Sequence, residues 1–305
     1  MAKTAFIFPG QGAQEVGMGR EVYESLPAAR SLFERAAHVL GYDLAAICFE
    51  GPKEKLDSTV YSQPALFVTS MAALELLKQS KPDVVENCAG AAGLSLGEYT
   101  AIVFAGAMDF EDGLRLVQKR GEAMQTAAAV VPGGMVSILG MELERIQELC
   151  IASREADEIL QPANLLCPGN IAVSGHKTAC LRVEPAAVTA GAMKTITLAV
   201  AGAFHTPLMQ PAVEKLETAL ATSKLRSTRF SVYSNVDALP HQNPAEIADL
   251  LVRQVCSPVY WHKLMDQMLS DGFDEFYEVG QGRVLRGLLK RISRKTACHG
   301  VLDGA

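Results

Sequence analysis

Apolar and polar positions follow two different rhythms along this chain. Over the first 125 residues, short β-favouring runs alternate with stretches whose apolar residues recur three and four apart. Residues 4–8 (Thr-Ala-Phe-Ile-Phe) form a strand-like run stopped by Pro9-Gly10, residues 26–40 have helical spacing, and residues 64–78 give a longer apolar helix pattern opening on Pro64. Strand and helix in alternation predict a parallel sheet covered by helices. Past residue 128 the rhythm changes. A strand over 135–140, a helix over 142–156, strands over 159–165 and 170–175, a helix over 177–190 and a strand over 193–200 give the order β-α-β-β-α-β, the ferredoxin-like pattern. The expected organisation is a large α/β domain, residues 1–128 and 200–305, interrupted by an inserted small ferredoxin-like domain over 129–199. The large domain resumes with a helix over 207–221, a strand over 230–234 and a helix over 244–254, and a ligand is expected in the cleft between the two domains.

Composition narrows the function classes. Of 305 residues, 49% are hydrophobic and 20% charged, an ordinary globular balance that argues against disordered, collagen-like and disulfide-scaffold chains. A net charge of −6 argues against binding nucleic acid by phosphate neutralisation, and the one dense basic run is Arg283 to Lys295. The apolar run before Pro9 is too short for a signal peptide, and charges or glycines break every long apolar segment, so no membrane association and a cytoplasmic location are expected. Seven scattered cysteines without a Cys-x-x-Cys pair suggest neither a disulfide framework nor a zinc site, and are expected as reduced core residues.

Residues 93–97, Gly-Leu-Ser-Leu-Gly, fit the G-x-S-x-G nucleophile elbow. Flanking glycines let the chain turn sharply from strand to helix, which thrusts the hydroxyl of Ser95 outward. The context agrees, since the small-residue run 88–92 precedes it and a helical pattern over 98–105 follows, with a dipole able to stabilise an oxyanion. As a lone motif the elbow is weak, because any Gly-Ser loop can match it. Among six histidines, His205 follows Gly202-Ala203-Phe204 after a strand and precedes Thr206-Pro207, a helix-start signature that puts it on a loop beside the sheet. It is the candidate base, with a core or capping histidine as the competing reading, and as base it should titrate between about pH 5 and 8. Two phosphate-loop readings fail. Gly10-x-Gly12 with Gly17 has its third glycine misplaced, and Gly175-His176-Lys177-Thr178 lacks the glycine a P-loop needs. No two histidines have the spacing of a helical zinc site, so no metal is expected.

Six blocks in chain order resemble one family: Phe8-Pro9-Gly10-Gln11-Gly12-Ala13-Gln14, Gln63-Pro64-Ala65-Leu66-Phe67, Gly93 to Tyr99, Lys119-Arg120-Gly121, Gly202-Ala203-Phe204-His205, and Gln254 to Trp261. They resemble malonyl-CoA:acyl carrier protein transacylases and the acyltransferase domains of polyketide synthases. The resemblance implies a hydrolase-like parallel-sheet core. It implies that Ser95 is acylated, His205 takes its proton, the amides of Gln11 and Leu96 form an oxyanion hole, and the carbonyl of Gln254 orients His205. Arg120 would bind the malonyl carboxylate as a two-pronged fork, Gln63 would line the pocket, and Phe204 would favour malonyl over methylmalonyl. The implied reaction is malonyl transfer from malonyl-CoA to the phosphopantetheine thiol of acyl carrier protein in fatty acid biosynthesis, by a monomer and with no cofactor. A serine thioesterase or esterase, a polyketide-pathway acyltransferase and a non-catalytic binding protein are the alternatives. Two positions depart from the family: Leu94, where a histidine is usual, and Leu166, where a second asparagine often follows Asn164.

Overall fold

The computed structural model describes residues 2–302. Ten strands occur among them: β1 (Thr4–Phe8), β2 (Gly90–Gly93), β3 (Gly133–Leu139), β4 (Leu160–Cys167), β5 (Asn170–His176), β6 (Lys194–Thr197), β7 (Ser231–Tyr233), β8 (Pro240–His241), β9 (Glu275–Glu278) and β10 (Ala297–Gly300). They form two sheets, ordered β10-β9-β1-β2-β7-β8 and β4-β5-β3-β6.

In the first sheet every neighbouring pair is parallel except β7 with β8. β1 lies mid-sheet with all five residues buried, as expected of a strand covered on both faces. Its carboxyl end is a switch point, with β2 on one side and β9 on the other, where α/β sheets open a crevice for ligands. β2, Gly-Ala-Ala-Gly, is built of small residues, so the helix Leu96–Phe104 packs close and Phe104 stacks on Phe6 with ring centroids 5.0 Å apart.

The second sheet is antiparallel throughout. The helices Leu143–Ser153 and Lys177–Thr189 fall between its strands, and Val136, Ile138, Ile146, Leu149, Val173 and Val183 form one apolar cluster with them. Met135 and Ala172 join the main cluster around Phe6 and Phe67 instead. Adjacent residues such as Met135 and Val136 point to opposite faces, so this sheet is apolar on both. A short bridge ties β4 to the loop before the helix Trp261–Ser270, with Val259 N donating to Ala163 O at 2.7 Å and Leu165 N to Val259 O at 2.9 Å.

Two helix starts depart from expectation because of prolines. The helix expected over 64–78 runs Thr59–Ser80, with Pro64 inside it. Pro64 forfeits one backbone bond, to the Val60 carbonyl, and burial of its neighbours Ser62, Gln63, Ala65 and Leu66 outweighs that loss. The helix expected from 207 begins as a 3₁₀ turn, Pro207–Met209, and becomes α-helical at Gln210–Thr222. Pro211 has no amide to donate to the Pro207 carbonyl, so Gln210 N makes the tighter bond in its place.

Candidate active site

Ser95 leaves β2 with φ 51° and ψ −100°, and the helix Leu96–Phe104 starts at the next residue. Such a conformation costs a residue with a Cβ about 1–3 kcal/mol and needs support from its surroundings. Two glycines supply the room. A Cβ on Gly93 would lie 1.8 Å from the Gly97 carbonyl carbon, and one on Gly97 would lie 2.1 Å from Phe8 O. Asn235 pins both sides of the turn, its Oδ1 accepting from Ser95 N at 2.6 Å and its Nδ2 donating to Gly93 O at 2.8 Å.

His205, buried in its loop with φ 61°, brings Nε2 to 2.9 Å from Ser95 Oγ. Its Nδ1 lies 2.9 Å from the Gln254 carbonyl oxygen. A carbonyl only accepts, so Nδ1 carries the proton and Nε2 turns a lone pair toward the serine hydroxyl. Burial, and then the nearby Arg120 charge, push the imidazole down from 6.5 to about 4. The titration expected between about 5 and 8 is therefore displaced downward, and the ring is neutral at physiological pH.

Arg120 is 1% exposed. On the helix Phe110–Ala128 it belongs to the buried stripe of Leu116, Val117, Gly121 and Met124, while Arg115 and Lys119 pair with Asp112 and Glu122 at the surface. Gly121 packs this helix tightly on the helix Thr59–Ser80, since a Cβ there would stand 2.8 Å from Thr59 O. That contact lets Arg120 Nη1 donate to Gln63 Oε1 at 2.8 Å. Its Nη2 donates to Ser95 Oγ and to Gln254 Oε1, both at 2.9 Å, and the guanidinium lies 4.9 Å from the centre of the Tyr99 ring. Arg120 Nε makes no hydrogen bond among the described residues.

The other expected residues fall around this centre. A Cβ on Gly10 would meet Leu94 O at 2.2 Å, so the loop carrying Gln11 lies against the elbow. No hydrogen bond occupies the amides of Gln11 and Leu96 among the described residues. Phe204 is buried in the main apolar cluster. Leu94 packs beside Trp261 and Phe276, and its side chain leaves the contact between Ser95 and His205 intact. Asn164 Oδ1 is buried without a partner, while Leu166 packs partly buried on the cluster around Trp261. His176 stands at the N-cap position of the helix Lys177–Thr189 without a side-chain capping bond, and its Nδ1 accepts from Ile159 N at 2.8 Å, as befits a structural residue.

Residues that the sequence did not single out complete the network. Glu98 is buried and accepts from Asn235 N at 3.0 Å and Gln254 Nε2 at 2.8 Å. Burial pushes its carboxyl up to about 7 against those hydrogen bonds and the Arg120 charge. For Arg120 a signal existed, a cation inside an apolar helical stripe. For Asn235 none did, because its partner Ser95 is 140 residues away.

A cavity of about 560 Å³ between the helices Phe110–Ala128 and Gln210–Thr222 contains none of the site residues. In the basic C-terminal run, Arg286 turns inward to the buried Glu278 and Arg291 donates to Pro168 O at 2.8 Å, and Arg291 lines a surface depression together with Lys290 and Arg294. Five of the seven cysteines, Cys48, Cys88, Cys150, Cys167 and Cys180, are buried. Among the described residues no cluster of His, Cys, Asp and Glu could hold a metal, and no helix is long and apolar enough to cross a membrane.

A serine on a strained strand-to-helix turn of a parallel sheet, paired with a histidine whose tautomer is fixed, defines the class of α/β proteins built for acyl transfer through serine. The pattern of the acyl transferase domain matches residues 5–296. The human mitochondrial malonyl-CoA-acyl carrier protein transacylase is 43% identical over 298 residues, covering 94% of this chain and 76% of that protein. The Bacillus subtilis malonyl CoA-acyl carrier protein transacylase is 41% identical over 305 residues, covering 99% and 94%. A malonyl-transacylase solved in complex with its type II polyketide-synthase acyl carrier protein superposes with a TM-score of 0.92 at 36% identity, covering 98% of this chain and 96% of that one. The chain belongs to the acyl transferase domain family, among the malonyl-CoA–acyl carrier protein transacylases.

Proposed function

We propose that this protein transfers a malonyl group from malonyl-CoA to the phosphopantetheine thiol of acyl carrier protein, in fatty acid biosynthesis, through a malonyl ester on Ser95. The observation that carries the reading is the double hold on Ser95 Oγ: a neutral imidazole on one side and the buried guanidinium of Arg120 on the other. A hydrolase needs the first and has no use for the second. His205 Nε2 takes the hydroxyl proton as Oγ attacks the thioester carbonyl. The amides of Gln11 and Leu96 receive the oxyanion, and coenzyme A leaves as the thiol with the proton from His205. The carrier thiol then attacks the ester, giving its proton to His205, and Ser95 regains its hydroxyl. Arg120, released from its contact with Ser95 Oγ while Gln254 still holds it, pairs with the malonyl carboxylate. Gln63 steadies it, and Phe204 crowds an α-methyl branch. The exchange of thioester for ester needs no metal and no cofactor.

The organisation in this reading is a small ferredoxin-like domain, residues 129–199, inserted into an α/β domain of residues 1–128 and 200–305. The strand order β4-β5-β3-β6 supports it. The protein works as a cytoplasmic monomer whose partner is acyl carrier protein, with neither nucleic acid nor membrane involved. Lys290 and Arg294 are the docking charges for that acidic partner. Incubation with malonyl-CoA and intact-protein mass spectrometry test the function. A stable malonyl adduct on Ser95, discharged by holo carrier protein, is expected. Free malonate released without an adduct would mean a hydrolase, and no reaction would mean a binding protein.

A further inference from the structure

Glu98 stands one turn into the helix that follows Ser95, and its carboxylate is 3% exposed. One oxygen, Oε2, accepts both from Asn235 N at 3.0 Å and from Gln254 Nε2 at 2.8 Å. Gln254 in turn offers Oε1 to Arg120 Nη2 at 2.9 Å. An amide side chain has a donor end and an acceptor end of nearly equal shape, and only its partners decide which way round it sits. Turned over, Gln254 would aim its NH₂ at the guanidinium and its oxygen at a carboxylate, two mismatches in a buried site. Glu98, together with the Ser95 main-chain carbonyl that accepts from the same Nε2 at 3.0 Å, therefore sets the end of Gln254 that meets Arg120.

We propose that Glu98 is a positioning residue: through the Gln254 amide it holds the Arg120 guanidinium in register for the substrate carboxylate. The inference rests on the malonyl-transfer reading above. Its reach is selective. His205 is fixed by the main-chain carbonyl of Gln254, which the side-chain amide does not control. The role also does not depend on charge, because Asn235 N and Gln254 Nε2 both donate to Oε2, and a proton on Oε1 leaves those two bonds in place.

The test compares kcat/KM for malonyl-CoA and acetyl-CoA in wild type, Glu98→Leu and Glu98→Gln. Losing one hydrogen bond to a charged group should lower the malonyl-to-acetyl ratio about 10- to 100-fold in Glu98→Leu. Glu98→Gln should recover most of the ratio, since its amide oxygen can accept both bonds. Parallel loss of both substrates in Glu98→Leu would reduce Glu98 to a fold residue and overturn the inference, as would a Glu98→Gln ratio as low as that of Glu98→Leu. Should Glu98→Leu fail to fold, Gln254→Met, which keeps the main-chain carbonyl, reads the same link, and an undiminished ratio there overturns it. A wild type with no preference for malonyl-CoA would sink the malonyl reading and this inference together. A preference that survives Glu98→Leu sinks the inference alone.

Discussion

The two sheets differ in how they treat polar side chains. At the carboxyl ends of β1 and β2, Gln63, Glu98, Arg120, His205, Asn235 and Gln254 are all buried and joined in one hydrogen-bonded network around Ser95. The second sheet reaches that network more loosely, through Gln161 Nε2 to the His205 carbonyl at 3.4 Å, with Asn164 Oδ1 buried nearby in sequence and unpartnered. At its far edge β6 is largely exposed, and Leu181 and Met193 lie open to solvent. A buried network holds reacting atoms without reorganisation but tolerates no missing member. A looser wall can hold the length of a substrate without fixing its reacting end. In the proposed division, the parallel sheet carries the chemistry and the antiparallel sheet carries the reach.

The sharpest break of that comparison is Ser95→Ala. The variant should form no malonyl adduct by mass spectrometry, because no other nucleophile occupies the elbow, and an undiminished transfer rate would refute the assignment. Next is Arg120→Ala. Removing one partner of a buried charge pair costs about 2 to 5 kcal/mol, or roughly 30-fold to several thousandfold at about 1.4 kcal/mol per tenfold. Malonyl transfer should fall by that factor while acetyl transfer is kept or gains, and Arg120→Lys should rescue only in part. Equal loss for both substrates would make Arg120 a fold residue. On the other sheet, Asn164→Ala should raise KM for malonyl-CoA only about 3- to 10-fold with kcat little changed, the worth of one neutral hydrogen bond. A large fall in kcat there would erase the division between the sheets.

Legibility in the sequence follows the same divide between local and distant. The elbow at Ser95 and the loop at His205 were readable because neighbouring residues dictate them: glycines that make room and a Thr-Pro helix start. Arg120 was visible as a cation beside Gly121, yet its role came from family resemblance, although the apolar stripe around it already marked it as buried. Glu98 stood within the motif and read as an ordinary residue of the first helical turn, because the partner that gives it meaning, Gln254, lies 156 residues on. Pro64 and Pro211 moved helix boundaries in opposite ways. One was tolerated inside a helix by burial, the other enforced a 3₁₀ turn.

The smallest effect concerns pH, and it separates burial from simple proximity. A base must be neutral to accept a proton, so its pKa sets the acid limb of the rate. At pH 5.5 a histidine of ordinary pKa near 6.5 would be about nine-tenths protonated, and acylation would drop about tenfold. His205 sits at about 4, displaced by burial and by the Arg120 charge, so nearly all of it stays neutral at that pH. Glu98, whose carboxyl titrates at about 7, takes up a proton in the same window and leaves the positive charge of Arg120 less balanced, which favours the neutral ring further. Acylation kcat/KM should therefore be nearly flat from pH 7.5 to 5.5 and fall only toward 4. The measurement is best made with a short malonyl thioester, because the phosphates of coenzyme A titrate in the same range. Under saturating substrate the limb should move upward, since a bound carboxylate cancels the Arg120 charge that holds the imidazole down. Arg120→Ala should raise the limb in the free enzyme for the same reason. A limb near 6.5 in the wild type would mean that water reaches His205 and that the buried network opens in solution.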